Sequence, residues 1–290
     1  RALDILRAAG LQAGMFSEVD PNPDEINLAA GVAAYKAGGH DGVIAFGGGS
    51  GLDLGKCVAF MAGQTRPVWD FEDIGDWWTR ADASVIAPII AVPTTAGTGS
   101  EVGRASVIIT DDGRKLGILS PHNLPSIALC DPELTYGLPA GLTAATGMDA
   151  ISHCLETYMA PAFNPPAEAI ALHGLDCGLR SIERAVADGS DTDARRDMMV
   201  CALEGAMAFQ KGLGAVHALT HPLGAIRSLN LHHGTLNAVL TPEVLRFNRD
   251  SIGAKWDVLQ DRMGAAPDAY IAALNDRIGM PSGYLSPASS

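Results

Sequence analysis

The strand-forming pattern of this chain stops short of residue 140, and the remaining half is written in helical periodicity. GVIAF (42–46) is a short apolar run that ends in glycines and is followed by a helical pattern from Leu52 to Met61. That order predicts a strand, a glycine turn and a helix. VIAPIIAV (85–92) is a second buried-strand candidate ending in a Gly/Thr/Ser-rich loop. SVIIT (106–110) and KLGILS (115–120) flank Asp-Asp-Gly-Arg and predict a hairpin, with Asp-Gly as the turn signal. SIALCDP (126–132) is a last strand candidate.

Apolar residues at helical spacing then mark helices over 143–159, 167–187, 193–210 and 235–246. Pro161, Pro165 and Pro166 interrupt the series, as does the Gly189-Ser190-Asp191 segment. A strand-bearing half before a helix-only half predicts two domains, 1–139 and 140–290, with the boundary near residues 138–142.

Composition narrows the function classes. Hydrophobic residues make up 47% and charged residues 18%, which describes a globular protein with a sizeable core. A formal net charge of −13 argues against nucleic acid or an anionic membrane as partner. No apolar run reaches the ~18 residues of a membrane span, and residues 1–20 lack a signal-peptide pattern. Five dispersed cysteines without a C-x-x-C pair read as reduced, mostly buried thiols, which favours the cytoplasm.

Two loops and two short segments carry the chemistry. GGGSGLDLGK (47–56) lies between a strand and a helix, where free N–H groups at a helix start suit a phosphate. A P-loop competes, since Gly55-Lys56 stand in its places; Ser50 and Cys57 depart from its pattern, and a G-x-G-x-x-G fingerprint also fails. A tight turn without a ligand remains open. PTTAGTGSEV (93–102) offers hydroxyls and close backbone approach. Asp149 and His153, four apart on a helix, share one face and aim a carboxylate and an imidazole at one point. Asp149 also interrupts a mostly apolar helix, where an unpaired charge is costly. Four of the eight histidines fall within 217–233, a second source of imidazoles. A divalent cation such as Fe(II) or Zn(II) suits that donor set. Glu156 shares the face of His153 and reads as an ion-pair residue, with a hydrogen bond to a ligand imidazole as the alternative. His40, His122 and His173 read as loop or surface residues.

Taken together, GGGSGLDLGK, PTTAGTGSEV, the block over 131–156, and HALTHPLGA followed by HHGTLNAVLTPEVLRFN resemble the iron-containing (group III) alcohol dehydrogenase family. They stand in the family's order and span most of residues 22–248. The resemblance implies an α/β N-terminal dinucleotide-binding domain plus an all-helical C-terminal domain, a dehydroquinate synthase-like architecture with the active site in the cleft. It implies NAD or NADP along Asn22, Gly48, Gly49, Ser50, Asp53, Thr94, Thr95, Thr98 and Lys115. It implies one divalent metal, Fe(II) or Zn(II), on Asp149, His153, His217 and His233, with His221 beside the nicotinamide as a proton relay. The implied reaction is hydride transfer between the nicotinamide and a small alcohol or aldehyde (or ketone), by a homodimer. Relatives of the same plan include glycerol dehydrogenases, maleylacetate reductases and dehydroquinate synthases, and a catalytically inactive metal-binding remnant is the non-enzyme alternative. The stretch from His217 to His233 is two residues longer than the common family spacing, which leaves His232 as the alternative fourth ligand. AFQKGLG (208–214) is one residue shorter than the usual form, which leaves the place of Phe209 open. Against the family pattern, the opening strand–helix unit and the last helices are expected to be missing from this chain.

Overall fold

The computed structural model describes residues 2–226, 229 and 231–281. A short helix α1 (Ala2–Ala8) and an extended stretch lead to α2 (Glu25–Ala37). Asp24 starts α2 as a capping box: its carboxylate accepts from Ile26 N and Asn27 N, and the Asn27 side chain returns a bond to Asp24 N. Strand β1 (Val43–Gly47), helix α3 (Gly49–Met61) and strand β2 (Ile89–Pro93) form a βαβ unit. β3 (Ala105–Ile109) and β4 (Lys115–Leu119) form the antiparallel hairpin expected from the Asp-Gly turn. β5 (Ile127–Ala128) is far shorter than the apolar run containing it and joins a parallel sheet of order β1-β2-β5.

Ala45 and Ala91 are paired in register and both buried, and α3 lies directly on them through Leu52. A Cβ on Gly55 would lie 2.7 Å from the Ala45 Cβ, so small residues on both sides set how closely helix and strand approach.

From residue 140 onward every described element is helical: α4 (Ala140–Met159), α5 (Pro165–Ala187), α6 (Thr192–Ala208), α7 (Ala215–Gly224), α8 (His233–Asn248), α9 (Ala254–Met263) and α10 (Pro267–Arg277), with a few 3₁₀ turns. Asn164 and Asp191 cap α5 and α6 through Ala167 N and Ala194 N, and Pro165-Pro166 occupy the first turn of α5, where proline's missing N–H costs nothing. α4 is buried along nearly all of its last four turns, packed by α5, α6 and α8 around Met148, Ile151, Leu155, Leu175, Ile182 and Met198. Its final carbonyls are taken by two ammonium groups: Lys211 Nζ donates to Thr157 O at 2.9 Å and Ala160 O at 2.6 Å, and Lys255 Nζ to Tyr158 O at 2.7 Å. Cations there complement the negative end of the helix dipole. No helix among the described residues is long and apolar enough to cross a membrane.

One contact fixes the crossing of α8 on α4. A Cβ built on Gly234 would lie 2.1 Å from Ala145 O, a backbone atom that cannot rotate away. We expect Gly234→Ala to cost about 2–3 kcal/mol by overpacking, whereas Gly137→Ala, which meets no atom within 4 Å, stays within about 0.5 kcal/mol. Urea unfolding of both variants checks this; equal midpoints would contradict the close α4–α8 crossing.

Candidate metal centre and cofactor cleft

Because α4 is buried all round, whatever polar groups its inner face carries must find partners inside the protein. Asp149, His153 and Glu156 fall on that face, and all three are buried. Asp149 Oδ1 is the focus. His153 Nε2 stands 3.6 Å from it, His217 Nε2 of α7 at 3.5 Å, and His233 Nε2 of α8 at 3.5 Å. Ligand atoms of Asp149, His153 and His217 all lie within 4.8 Å of one another. The His153 and His217 rings stack at 4.6 Å. Four donors bonded tetrahedrally at about 2.1 Å would be spaced about 3.4 Å apart. The three spacings to Asp149 Oδ1, and a set of one carboxylate and three imidazoles, suit a divalent cation, with Asp149, His153 and His217 as the mutually close core.

His232, the neighbour of His233, turns the other way. It occupies the N-cap position of α8, with Nδ1 3.5 Å from Thr235 Oγ1 at the surface. Of the remaining histidines, His122 and His173 are exposed and His40 lies in a loop, as expected.

Glu156 meets both sequence expectations at once, as an ion-pair partner of His217 and as a hydrogen-bond partner of its ring. Its carboxylate accepts from Val216 N at 2.6 Å, from His217 N at 3.3 Å, and meets His217 Nδ1 at 2.6 Å. It therefore anchors the first turn of α7 to α4 and fixes the His217 ring, with Nε2 directed at Asp149. Asn237 carries no signal in the sequence that would mark it as functional. It is fully buried one turn beyond His233 and places Nδ2 2.7 Å from Asp149 Oδ1.

Electrostatics follow from this crowding. Burial by itself would raise the Asp149 carboxyl, but the surrounding imidazoles outweigh it and hold the group below the ordinary carboxylate range. Burial also opposes charge on His217, yet its bonds to Asp149 and Glu156 prevail and raise it to about 9. Burial lowers His153 to about 4, helped by the charge of His217. It lowers His233 well below the usual imidazole value.

The cleft beside this cluster gathers the residues of the two glycine-rich loops. Asn22 sits in the left-handed region at φ 57°, its N–H donating to Ser50 Oγ at 3.1 Å and its Oδ1 accepting from Lys115 Nζ at 2.9 Å. Gly48 precedes α3 with no side-chain cap, which leaves the first amides of the helix without a side-chain partner. The second loop packs against this turn on the Cα side: Cβ atoms on Gly48 and Gly49 would meet Thr95 Cγ2 at 3.2 Å and Thr98 Cγ2 at 2.6 Å. Thr94 N donates to Gly47 O at 2.9 Å. Asp53 is committed inward, accepting from Ser100 Oγ at 2.5 Å and Val107 N at 3.1 Å.

Lys56 removes the P-loop alternative. Its ammonium is fully buried and donates to Ser100 O at 2.9 Å, Ser100 Oγ at 3.1 Å and Ala105 O at 2.6 Å. A P-loop lysine must instead face the phosphates.

His221 lies between cluster and cleft, its ring 5.8 Å from that of His217 and 5.3 Å from that of His233. Burial, then the nearby Lys115 charge, lowers it to about 4. The Phe209 ring lies 5.3 Å from that of His153, on the side facing the second loop, where a Cβ on Gly103 would meet Phe209 Cζ at 3.6 Å.

Comparison with known proteins gives the family. Residues 1–132 match the family described as iron-containing alcohol dehydrogenase, and residues 143–282 match the Fe-containing alcohol dehydrogenase family, C-terminal. The chain is 53% identical over 294 residues to the 4-hydroxybutyrate dehydrogenase of Cupriavidus necator, covering 98% of this chain and 76% of that protein. It is 38% identical over 266 residues to the 1,3-propanediol dehydrogenase of Klebsiella pneumoniae, covering 91% and 67%. A crystal structure of 1,3-propanediol oxidoreductase superimposes with a TM-score of 0.90 at 36% identity, over 96% of this chain and 75% of that one. Sulfoacetaldehyde reductase from Bifidobacterium kashiwanohense in complex with NAD+ superimposes with a TM-score of 0.86 at 29% identity, over 97% and 76%. The chain belongs to the iron-containing alcohol dehydrogenase family, a two-domain, metal-dependent oxidoreductase that transfers a hydride between a nicotinamide cofactor and a small alcohol or aldehyde.

Proposed function

We propose that Asp149, His153, His217 and His233 hold one divalent cation, Fe(II) before Zn(II), and that NAD binds in preference to NADP in the adjoining cleft. The substrate is a short primary alcohol or its aldehyde, with 4-hydroxybutyrate the first compound to try. That choice rests on the 53% identity to a 4-hydroxybutyrate dehydrogenase. The observation that carries the reading is the convergence of three imidazole nitrogens on Asp149 Oδ1 at 3.5–3.6 Å beside the Lys115–Asn22 pair. We place the domain boundary between residues 139 and 140, where Pro139 stands at the N-cap of α4. A cytoplasmic homodimer completes the proposal. The buried free thiols of Cys57, Cys154, Cys177 and Cys201 favour a reducing compartment, and the dimer rests on family resemblance.

A bound cation supplies Lewis acidity toward an alcohol or carbonyl oxygen, and the nicotinamide accepts or gives the hydride. The protein's own part is positional and protonic. With His217 giving up its Nε2 proton to solvent on loading, one carboxylate and three neutral imidazoles would leave a dication with a net charge of about +1, so its electrophilicity would survive. His153 offers a lone pair at neutral pH because burial keeps it unprotonated. Glu156 occupies His217 Nδ1 and so reserves Nε2 for the centre. The uncapped amides of Gly48, Gly49 and Ser50 would hold the pyrophosphate, and the hydroxyls of Thr94, Thr95 and Thr98 would supply further polar contacts to it. Asn22 holds the Lys115 ammonium, which would contact the ribose. Asp53 acts through Ser100 by tying the two loops together. His221, neutral at pH 7, takes the substrate hydroxyl proton on a ring nitrogen and gives it up to solvent. A base with a pKa of about 4 passes a proton on rather than storing it.

Metal analysis of anaerobically purified protein, together with an alcohol panel run with NAD and with NADP, tests the assignment. His217→Ala should leave the protein without bound metal and lower kcat/KM by at least about a thousandfold. Full turnover after chelation and dialysis would refute the metal reading, and an unchanged NADH fluorescence on titration with protein would refute the cofactor reading.

Glu156→Gln keeps the size of the side chain but removes the charge that holds His217. It should weaken Zn(II) binding about 10–100-fold in competition with a chromophoric chelator. Unaltered affinity would show that His217 does not depend on Glu156.

A further inference from the structure

Asn237 has a geometry that space-filling does not explain. It sits four residues beyond His233 on α8, fully buried, with Nδ2 2.7 Å from Asp149 Oδ1 and 3.3 Å from each of His233 Nε2 and His217 Nε2. Its other end, Oδ1, is buried and has no hydrogen-bond partner among the described residues. Rotating the amide would bring oxygen against the Asp149 carboxylate, so the orientation with nitrogen inward is dictated. An unpartnered buried carbonyl is costly, and an apolar side chain of the same volume would fill the space without that cost.

The amide donates to the Asp149 carboxylate, while the Nε2 atoms of His217 and His233, at 3.3 Å, keep their lone pairs directed at the same point. His233 is also the most exposed of the four donors, its side chain 22% exposed against 3–5% for the other three. We propose that Asn237 is the positioning residue of this centre: its N–H clamps Asp149 Oδ1 at 2.7 Å, which leaves that oxygen a second lone pair for a cation, and so fixes the rotation of α8 that brings His233 to the same point. The inference rests on the reading of the four donors as a metal centre. Because Asn237 and His233 share one face of α8 a turn apart, the clamp also selects His233 over His232.

Asn237→Leu keeps the branched shape in a larger side chain and removes the N–H donors, and Asn237→Asp replaces them with a second carboxylate. In thermal unfolding with and without Zn(II), with Kd from chelator competition, Leu should weaken Zn(II) binding about 10–100-fold and shrink the Zn(II)-induced rise in Tm. Asp should lower the metal-free Tm through repulsion with Asp149 and enlarge that rise, because the added charge is neutralised only by the cation. A residue that merely fills space predicts the opposite pattern for Leu, with the Zn(II)-induced rise and Kd both kept, and that result overturns the proposal. If the wild-type protein shows no rise with Zn(II) or Fe(II), the metal reading itself fails. The clamp is then judged in metal-free protein by a double-mutant cycle of Asn237→Leu with Asp149→Ala: non-additive Tm shifts support it, additive shifts overturn it.

Discussion

The structure turns on one carboxylate placed in the middle of a fully buried helix. Asp149 would be intolerable in the α4 core if alone, since burial of an unpaired charge costs several kcal/mol. Its compensation comes from three separate helices: His153 on α4 itself, His217 on α7, and His233 with Asn237 on α8. The α7 and α8 helices therefore pack on α4 to satisfy polar groups as well as to bury apolar area. Such a site is convergent by construction. No local segment can form it before the helical half has assembled.

The same helix controls its own neighbours at both ends of the problem. Glu156 receives the first amides of α7, and Lys211, from the turn leading into α7, donates to the last carbonyls of α4. Lys211 is joined there by Lys255 of α9, with Glu168 of α5 bonded to both ammonium groups at 3.0 Å and 2.7 Å. The linker between α6 and α7 is thus pinned at one point by a cation at a helix C-terminus and at another by a carboxylate at a helix N-terminus. Both arrangements follow the helix dipole. Between them they leave His217 little freedom, which suits a donor that must meet a cation within a few tenths of an ångström.

On the strand side, a second buried network does the equivalent for the cleft. Lys56 and Asp53, three apart on α3, both reach Ser100 of the second loop, and they continue to Ala105 O and Val107 N of β3. Burial pushes the Lys56 ammonium down and the Asp53 carboxyl up, and their mutual attraction opposes both shifts. The two glycine-rich loops are consequently one rigid wall. This also explains why the glycine-rich sequence resembles a P-loop without being one: Gly55 is needed against Ala45, and Lys56 is needed by Ser100.

Local pattern is enough for the elements whose stability is local. The Asp-Gly hairpin, the βαβ unit and the long periodic helices α4, α5, α6 and α8 are legible in the sequence, with α4 beginning at Ala140, directly after Pro139 and three residues before the expected start. α7 is not legible, being ten residues long with Pro222 inside it; it is held by Glu156, a partner sixty residues away. α9 and α10 escape the sequence pattern for a related reason, since each buries only three or four residues against the core. The choice between His233 and His232 shows the limit most sharply. Adjacent residues on a helix differ by about 100° in direction, so one of the pair must face the core and the other solvent. Composition and spacing treat them alike. The rotation of α8 is decided by Gly234 lying against the Ala145 carbonyl and by Asn237 reaching Asp149, two contacts that exist only once α4 and α8 have crossed.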